Sequence, residues 1–366
     1  MQTRGTREDD AIMAKAPTVY DVAERARVSI ASVSRVLRNP DSVKEQTRER
    51  VLEAVRHLGY VPSANARGLA ARRTNVIGLF FPGHDDVAGS DGRLVAASGG
   101  VTVVRDDATG DPETHNYYFD EVLRGAEIEA WRRGFALMVA AGRGASREAI
   151  VNDIAGRVDG LAVLARTVPD ELLAHVARRI PVVVLAATRG TDEFDHVSVN
   201  NAPGMRAITE HVLGTGARRL MYIAGPEDSP DDRERLEGFR AAVDGAEGVS
   251  VELVRGDFSR VRGREIALRI EAMPEAIVCA NDQTALGVLD AMGRRSISVP
   301  DDVMVTGFDG IAAGRHSTPR LTTVHQPMVE LGRAAIQALT ARLDDPSLEA
   351  QSLVLPVQVV LRDSCP

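Results

Sequence analysis

Length, composition and charge limit the class of protein before any motif is considered. The 366 residues, 44% of them hydrophobic and 26% charged, suit two or three globular domains and give no reason to expect bulk disorder. No apolar run approaches the roughly 20 residues of a membrane-spanning helix, and residues 1–16 lack the apolar segment of a secretory signal. Cys279 and Cys365 match neither a disulfide framework nor a zinc motif. We therefore expect a cytoplasmic protein that begins with a disordered leader over residues 1–16.

The charge is divided unevenly along the chain. The net charge is −8, yet residues 17–73 carry 11 Lys and Arg against 6 Asp and Glu, whereas residues 74–366 carry 30 against 43. A basic end on an acidic body is typical of a protein whose one end meets a polyanion. A locally basic, solvated surface gives the same pattern, so charge alone leaves both interpretations open.

Two short helical patterns open the basic end and are separated by a tight turn. Residues 20–26 predict the first helix, Arg27-Val28-Ser29 the turn, and residues 30–37 the second helix. Ser29 is a good N-cap because its hydroxyl can accept from the free N–H groups of the next turn. Asn39-Pro40-Asp41 then breaks the pattern.

A third helix is predicted after this break. Thr47 is expected to cap it and Gly59 to end it. Its apolar stripe is expected to consist of Val51, Leu52, Val55 and Leu58. Pro62 opens a further helix-compatible stretch over residues 63–71.

From residue 75 onward, short apolar runs alternate with helical patterns. This alternation is typical of α/β proteins whose parallel sheets carry helices on both faces, and about ten strands are too many for one compact sheet. Two lobes are therefore expected. The predicted strands span residues 76–81, 136–140, 160–164, 182–185, 197–199, 220–224, 251–254, 276–279, 304–308 and 322–324, with helices such as 118–133, 203–214 and 233–243 between them.

Residues 83–115 interrupt this alternation. They are rich in Gly and Asp, and two short β-like runs, 93–97 and 101–105, predict a hairpin inside a loop. The insertion follows the first strand of the body, and ligands of open α/β sheets bind at the carboxyl ends of strands. It can cover a pocket, contact a second subunit or form a passive surface insertion, and the sequence leaves these alternatives open.

Helix, tight turn and helix at this spacing form the layout of a helix-turn-helix, whose second helix enters the major groove of DNA. Arg35 can donate two hydrogen bonds to guanine, and Ile30 and Ala31 can contact thymine methyl groups. Side chains suited to phosphate contacts, or placed at the start of the second helix, are those of Thr18, Tyr20, Ser29, Ser32 and Ser34. A plain three-helix bundle without a role in DNA binding is the alternative.

These residues resemble the headpiece of the lactose-repressor family of bacterial transcription regulators. The matching segments are TVYDVA (18–23), VSRVL (33–37), TRERV (47–51), LGYVP (58–62) and ARGLA (66–70), followed in family order by NYYFDEVLRG (116–125), RERLEGF (233–239), ANDQTALG (280–287), VTGFD (305–309) and LTTVHQP (321–327). The similarity covers nearly all of residues 17–361. Many motifs in a fixed order are far more specific than one.

The resemblance implies a homodimer on a near-palindromic double-stranded operator. It assigns residues 17–61 to the DNA-binding domain, 62–73 to a hinge helix and linker, and 74–366 to a domain for effector binding and dimerisation. Leu69 would wedge into the minor groove, with Ala66 and Ser63 beside it. A leucine in a short helix is more often a core residue, but the polar neighbours of Leu69 make this segment poor core material.

Two residues depart from the family pattern. Arg27 stands at a turn position that is usually glycine, which leaves the local geometry open, because a non-glycine residue at positive φ is strained. Ser63 stands where an asparagine is common.

The body resembles the periplasmic sugar-binding fold, in which two lobes close on a small polar ligand. Lobe crossings are expected near residues 164–167, 282–292 and 323–326. The implied ligand-facing residues are Arg235, Phe258 and Asp282, with Tyr118, Arg143, Asn200 and Asp309 as further candidates. A surface ion pair for Arg235, core packing for Phe258 and a helix N-cap for Asp282 are the alternatives. Asn200 replaces a common family aspartate, which leaves the sugar-like ligand unidentified.

Catalysis has no support in the sequence. No nucleophile elbow, phosphate-binding glycine loop or metal triad is present, so we expect no enzymatic activity, no cofactor and no metal. The sequence predicts an effector-controlled repressor of the bacterial cytoplasm, associated with the nucleoid. A transporter's solute-binding protein would carry a signal peptide and no headpiece, and a sugar enzyme would need a catalytic constellation. Whether the effector induces or co-represses stays open.

Overall fold

The computed structural model describes residues 17–61, 73–82, 117–142, 147–165, 167–187 and 192–366. The chain divides into two compact units, residues 1–74 and 75–366, and each is treated by itself. The predicted leader, the insertion over residues 83–115 and the hinge segment over residues 62–72 lie outside the described residues.

The first unit contains the three predicted helices. They are α1 (Val19–Ala26), α2 (Ile30–Arg38) and α3 (Glu45–Leu58), with a single 3-10 turn (Pro40–Ser42) before α3. Their buried side chains form one small apolar core, which consists of Val22, Ala23, Ala26, Val33, Val36, Val51 and Ala54. Gly59 ends α3 in the left-handed conformation at φ 62°, as the sequence predicts.

Two details of α3 were predicted wrongly. The helix begins at Glu45, so Thr47 lies within its first turn and Lys44 is the capping residue, without a side-chain cap bond. An acidic residue in the first turn stabilises the helix dipole, and Glu45 supplies it. Leu52 is 37% exposed because the inward stripe follows helical spacing through Val51, Ala54 and Val55, which turns the next position away from the core.

The second unit contains two six-stranded sheets, each the centre of one lobe. The first has the order β11-β5-β4-β3-β1-β2 and the second β12-β10-β9-β8-β6-β7. All neighbours are parallel except β10 and β12. The strands are β1 (Val76–Pro82), β2 (Ala136–Gly142), β3 (Gly160–Leu164), β4 (Val182–Leu185), β5 (Asp195–Val199), β6 (Arg219–Ala224), β7 (Ser250–Arg255), β8 (Ala276–Cys279), β9 (Met304–Asp309), β10 (Thr322–His325), β11 (Ser352–Leu355) and β12 (Gln358–Val360).

All ten predicted strands are present, and the two-lobed α/β prediction is confirmed. The edge strands β11 and β12 were not predicted, because both are short and neither contains a fully buried residue. Nine helices in the described part of this unit connect the strands. They are α4 (Tyr117–Arg132), α5 (Arg147–Ala155), α6 (Asp170–Ala177), α7 (Asn201–Gly214), α8 (Pro230–Asp244), α9 (Arg260–Leu268), α10 (Asp282–Arg294), α11 (Ala312–His316) and α12 (Met328–Asp344).

The lobe crossings differ from the prediction at two of three places. Residues 164–167 follow β3 toward β4 of the same sheet, and residues 282–292 form α10 between two strands of the second sheet. The chain instead crosses between β5 and α7 at Asn200, and between β11 and β12 near residues 356–357. The predicted crossing near residues 323–326 is present, because α12, which follows β10, packs on the first sheet and on α4.

Two glycines bring α4 and α12 into backbone contact. A Cβ added at Gly125 would lie 1.9 Å from the carbonyl oxygen of Val329, and one added at Gly332 would lie 2.0 Å from that of Val122. Each helix therefore accepts the other's backbone at its own glycine. No helix of the described ranges is long and apolar enough to cross a membrane.

Candidate functional site

The α2 helix has one face in the core of the first unit and one face in solvent. Val33 and Val36 are fully or almost fully buried. Ile30 is 41% exposed, and Ala31 and Arg35 are also exposed. An exposed arginine beside small apolar side chains is the combination that reads guanine and thymine in a major groove. The residues predicted to contact bases therefore share the solvent face of this helix.

The predicted phosphate-contacting residues surround the two helix starts. Thr18 caps α1 in a capping box with Asp21, whose Oδ2 accepts from the Thr18 N–H and hydroxyl at 2.7 Å each. Ser29 caps α2, accepting from the N–H of Ser32 at 3.1 Å. Tyr20 is 68% exposed, and Ser34 lies partly buried on α2. The hydroxyls of Ser29 and Ser32 also bond each other at 2.9 Å, which fixes the first turn of α2.

Arg27 keeps the left-handed turn that family members usually build with glycine. Its φ and ψ are 51° and 50°, and the N–H of Val28 closes the turn onto the carbonyl of Ala23 at 3.0 Å. The tight turn between α1 and α2 is therefore preserved, with the strain that a residue carrying a Cβ has at positive φ.

Replacing Arg27 by glycine is expected to stabilise the first unit by about 1 kcal/mol, because glycine adopts positive φ without steric cost. Denaturant unfolding followed by circular dichroism on the isolated unit and on the full chain would measure the free energy of unfolding. Arg27→Ala is the matched control, since it removes the side chain but keeps the strained backbone. Equal stabilities for the two variants would contradict the strain argument.

The second unit holds a buried polar cluster between its lobes, with Arg235 of α8 at its centre. The Arg235 side chain is only 3% exposed. Its Nε donates to Asn201 Oδ1 at 2.9 Å, and one terminal nitrogen, Nη1, donates to the Ala280 carbonyl at 2.8 Å and to Asp309 Oδ1 at 3.3 Å. Burial lowers the pKa of the guanidinium, but the Asp309 and Asp231 carboxylates more than offset this, so the pKa lies above its ordinary value. Arg235 is therefore a buried cation, and the alternative of a surface ion pair is wrong.

Asp309 links this cluster to a lobe crossing. Gln326 follows β10 in the crossing segment, and its side-chain amide donates to Asp309 Oδ1 at 2.6 Å while its backbone N–H donates to the Asp309 carbonyl at 3.1 Å. Asp309 has an unusual φ of 118° at the end of β9. Burial raises the pKa of Asp309 to about 6, although Arg235 and Gln326 act in the opposite direction. A change at Arg235 can therefore affect this lobe crossing through a single side chain, that of Asp309.

Asn201 and Asp231 belong to the cluster, and sequence reasoning missed both. The Asn201 amide donates to Asp231 Oδ1 at 2.9 Å and to Glu234 Oε2 at 3.1 Å. Asp231 Oδ2 lies 3.9 Å from Nη2 of Arg235, one helical turn along α8. Carboxylate and arginine four residues apart are a recognisable helix pair, but the sequence-based helix started at Arg233 and left Asp231 outside it.

Two aromatic rings lie near the guanidinium of Arg235. The centre of the Arg235 guanidinium lies 3.9 Å from the ring centroid of Phe308 and 5.9 Å from that of Phe258. Phe258 has a φ of 70° and its carbonyl accepts from the Asn281 amide at 3.0 Å. The Tyr118 hydroxyl, on α4 of the other lobe, is buried and has no hydrogen-bond partner within the described ranges. Burial raises its pKa, with Asp231 and Asp309 adding to the effect.

Asp282 is fully buried and its carboxylate is already engaged. Its Oδ2 accepts from the N–H groups of Gly310 and Ile311 at 2.8 and 2.9 Å, and its Oδ1 accepts from the Thr323 hydroxyl. Asn281, not Asp282, caps α10. Burial and the nearby Asp309 raise the pKa of Asp282 above its ordinary value. These hydrogen bonds of Asp282 hold the turn after β9, and with it Asp309, in place.

The remaining predicted ligand residues are not in the cluster. Asn200 is exposed at the first lobe crossing, where its backbone N–H donates to the Leu355 carbonyl at 3.0 Å. Arg143 lies outside the described residues. The structure thus brings together Arg235, Asp309, Phe258 and Tyr118. It places Asp282 next to Asp309 and leaves Asn200 at the first lobe crossing.

Comparison with known sequences identifies both parts of the chain. Residues 18–63 match the model of bacterial regulatory proteins of the lacI family, and residues 209–365 match a periplasmic binding protein-like domain. The chain is 31% identical over 358 residues to the transcriptional repressor PurR of Photobacterium profundum, covering 95% of this chain and 98% of the relative. It is 28% identical to the repressor CytR of Escherichia coli, covering 95% and 96%.

Solved structures give the same result. A lac repressor dimer bound to operator and an anti-inducer superposes with a TM-score of 0.77 at 25% identity, covering 96% of this chain and 99% of that one. A complex of the regulator CelR with cellobiose gives a TM-score of 0.66 at 28% identity, covering 95% and 99%. The chain therefore belongs to the LacI family of bacterial regulatory proteins and is a DNA-binding transcriptional regulator, not an enzyme.

Proposed function

We propose that the protein is a repressor whose two headpieces read a near-palindromic operator through the solvent face of α2. The observation that carries this proposal is the division of α2 into a buried face with Val33 and Val36 and an exposed face with Ile30, Ala31 and Arg35. Arg35 reads a guanine, and the small side chains leave room for close approach to base edges. The hydroxyls of Thr18, Tyr20, Ser29, Ser32 and Ser34 contact phosphates or fix the turns that face them.

The hinge proposal rests on the sequence resemblance alone. Residues 62–73 become helical on DNA, and Leu69 enters the minor groove beside Ala66 and Ser63. Unstacking one base step costs a few kcal/mol, which the added contacts of the bent duplex offset. Residues 1–16 form a leader before the DNA-binding domain of residues 17–61, and residues 74–366 form the effector and dimerisation domain.

A second copy of the chain is the proposed partner of the surface made by α4 and the edge strand β2. Trp131, the only tryptophan of the chain, is 83% exposed, and Ile128 and Val139 are 40% and 48% exposed. Large apolar side chains grouped on an outer helix face and an edge strand favour an interface. The related lac repressor was solved as a dimer on its operator.

The cluster around Arg235 is the proposed effector site. It lies between the lobes, it combines charged groups with aromatic rings, and its Tyr118 hydroxyl has no partner in the described part of the chain. Such a site suits a small polyhydroxy compound, the class to which the cellobiose of the related CelR belongs. In this proposal Phe258 lies against the ligand and Asp282 supports the wall of the site. Asn200, at the nearby lobe crossing, and Arg143, which lies outside the described residues, stay candidates on the sequence resemblance alone. Through Asp309 and Gln326, ligand binding shifts the balance between lobe arrangements and hence DNA affinity. The protein acts on the nucleoid in the bacterial cytoplasm.

Selection of duplexes from a random library, followed by titration of the best site, tests this function. The full chain is expected to select a near-palindromic site and to bind it with two chains per duplex. If the full chain prefers no site over random duplex at moderate salt, with or without small metabolites, the proposal is overturned.

Arg35→Ala is expected to weaken operator binding and to relax the preference at one base position per half-site. The expected loss is about 1–3 kcal/mol of discrimination, the usual value of a bidentate arginine–guanine contact. Titration against duplexes changed at single positions would locate the affected base. Arg56→Ala, at an exposed arginine of α3, is the matched control. Equal losses on all duplexes would show that Arg35 contacts phosphate only.

A further inference from the structure

The cluster between the lobes contains more negative than positive charge. Among the described side chains of the cluster, Arg235 is the only cation, and it lies 3.3 Å from Asp309 and 3.9 Å from Asp231. Glu234 adds a third carboxylate next to Asn201. Burial and the nearby Asp309 raise the pKa of Asp282 to about 8, so Asp282 does not add a negative charge at neutral pH. The charge of Arg235 is therefore already balanced before any ligand enters.

The free hydrogen-bonding positions of the cluster are mostly acceptors. The hydrogen bonds within the described ranges reach Oδ1 of both Asp231 and Asp309 and leave Oδ2 of each carboxylate open. The Tyr118 hydroxyl adds a buried group that can accept or donate. On the donor side, Nη2 of Arg235 makes only the 3.9 Å approach to Asp231. A ligand that complements the two open carboxylate oxygens must therefore bring donors, and Nη2 of Arg235 can donate to an acceptor of the same ligand.

We propose that Asp231 determines the specificity of the effector site, accepting from a hydroxyl or ammonium group of the ligand and excluding ligands that carry a negative charge. This inference rests on the proposed effector role of the cluster. The Asp231 side chain is 16% exposed, whereas those of Arg235 and Asp309 are 3% and 6% exposed, so Asp231 is the more accessible of the two carboxylates paired with Arg235.

The expected exclusion follows from the surroundings of Asp231. A phosphate or carboxylate bound here would lose its hydration and meet the Asp231 and Asp309 carboxylates, and these two carboxylates already offset the charge of Arg235 although its Nη2 makes no hydrogen bond within the described ranges. Hydroxyl and ammonium donors satisfy the open oxygens without this repulsion. Asp231 itself is held in place by the Asn201 amide, so it cannot turn away from an incoming anion without losing that bond.

The test compares ligands that share a skeleton and differ in charge. Glucose, glucosamine and glucose 6-phosphate, ribose and ribose 5-phosphate, and glucuronate would be titrated against the full chain by calorimetry and thermal shift. Within each set the neutral or amino compound is expected to bind at least about tenfold more tightly than the anionic one, because a single uncompensated charge near a buried carboxylate easily exceeds the 1.4 kcal/mol of that factor. Comparison of glucose with glucosamine separates a hydroxyl from an ammonium donor.

Asp231→Asn removes the charge and keeps the shape, so the preference against anions is expected to shrink about tenfold or more. Asp231→Ser is a second variant in case the amide disturbs Asn201, and Glu237→Gln, on the exposed face of the same helix, is the matched control that leaves the preference unchanged. Tightest binding of an anionic compound to the unchanged protein would overturn the inference and leave the effector site standing. Absence of binding by every compound, together with no effect on operator affinity, would remove both.

Discussion

Replacing Arg235 by alanine is expected to destabilise the second unit by about 3–5 kcal/mol at neutral pH, the usual consequence of removing one partner of a buried ion pair. The side chain is 3% exposed, and its loss leaves Asp309, Asp231 and Asn201 without their central donor. The same change is expected to abolish any effect of a ligand on operator affinity, because the donors and charges of the site lose their centre.

The stability loss is expected to depend on pH. Burial holds the pKa values of Asp309 and Asp231 above their ordinary values even with Arg235 present, and removing the guanidinium raises them further. A carboxyl group whose pKa is higher in the folded state takes up a proton on folding, so its contribution to stability falls as the pH rises through that pKa. The difference in the free energy of unfolding between the variant and the unchanged protein should therefore shrink from about pH 7.5 to about pH 5.

Arg206→Ala is the matched control for this prediction. Arg206 pairs with Glu210 at 2.6 Å on the exposed face of α7, and pairs of this kind contribute at most about 1 kcal/mol. Denaturant unfolding at several pH values would compare the two variants. A loss for Arg235→Ala as small as that for Arg206→Ala, or a loss independent of pH, would mean that the cluster does not bury uncompensated charge.

The sequence predicted the strands well because most strands in the interior of the sheets, such as β3 (GLAVL) and β4 (VVVL), are short, continuous apolar runs. It did not predict where the chain changes lobes, because a crossing depends on which sheet the next element joins. Residues 282–292 are an ordinary helix in either arrangement, and only the pairing of β8 with β9 places that helix inside one lobe. The edge strands β11 and β12 were missed for a different reason, since neither contains a fully buried residue.

The candidate site was predicted in part. Arg235 and Asp309 came from motifs, yet their pairing across 74 positions of sequence depends on tertiary structure alone. Asn201 escaped notice because its neighbour Asn200 occupies the family position, and Asp231 because the start of α8 was placed too late. The involvement of Asp282 in backbone hydrogen bonds also has no sequence signal, since a buried carboxylate looks the same in a ligand site and in a turn.

Replacing Gly125 or Gly332 by alanine is expected to destabilise the second unit by at least about 1–3 kcal/mol, the usual cost of inserting a methyl group into a filled contact. An added Cβ at Gly125 would stand 1.9 Å from a carbonyl oxygen of α12, and one at Gly332 would stand 2.0 Å from a carbonyl oxygen of α4. Both obstacles are backbone atoms, which cannot rotate away as a side chain can. The two helices must therefore move apart.

Gly293→Ala is the control, because Gly293 lies within α10 and an added Cβ would meet nothing within 4 Å. Alanine there is expected to raise the free energy of unfolding by up to about 1 kcal/mol through helix propensity, the opposite sign for the same chemical change. Thermal and denaturant unfolding of the three variants would show the contrast. Equal effects at Gly125, Gly332 and Gly293 would rule out a close helix contact.

The position of this contact extends the prediction from stability to regulation. The α4 helix carries Tyr118 at its start, and α12 begins directly after the crossing segment that contains Gln326. Separating the two helices therefore displaces Tyr118, a residue of the proposed effector site, relative to the lobe crossing whose Gln326 is bonded to Asp309. A variant at Gly332 that still folds is expected to keep operator binding but to respond more weakly to ligand, measured as the ratio of operator affinities with and without a bound compound. An unchanged ratio in a destabilised Gly332→Ala protein would show that the helix contact supports the fold alone.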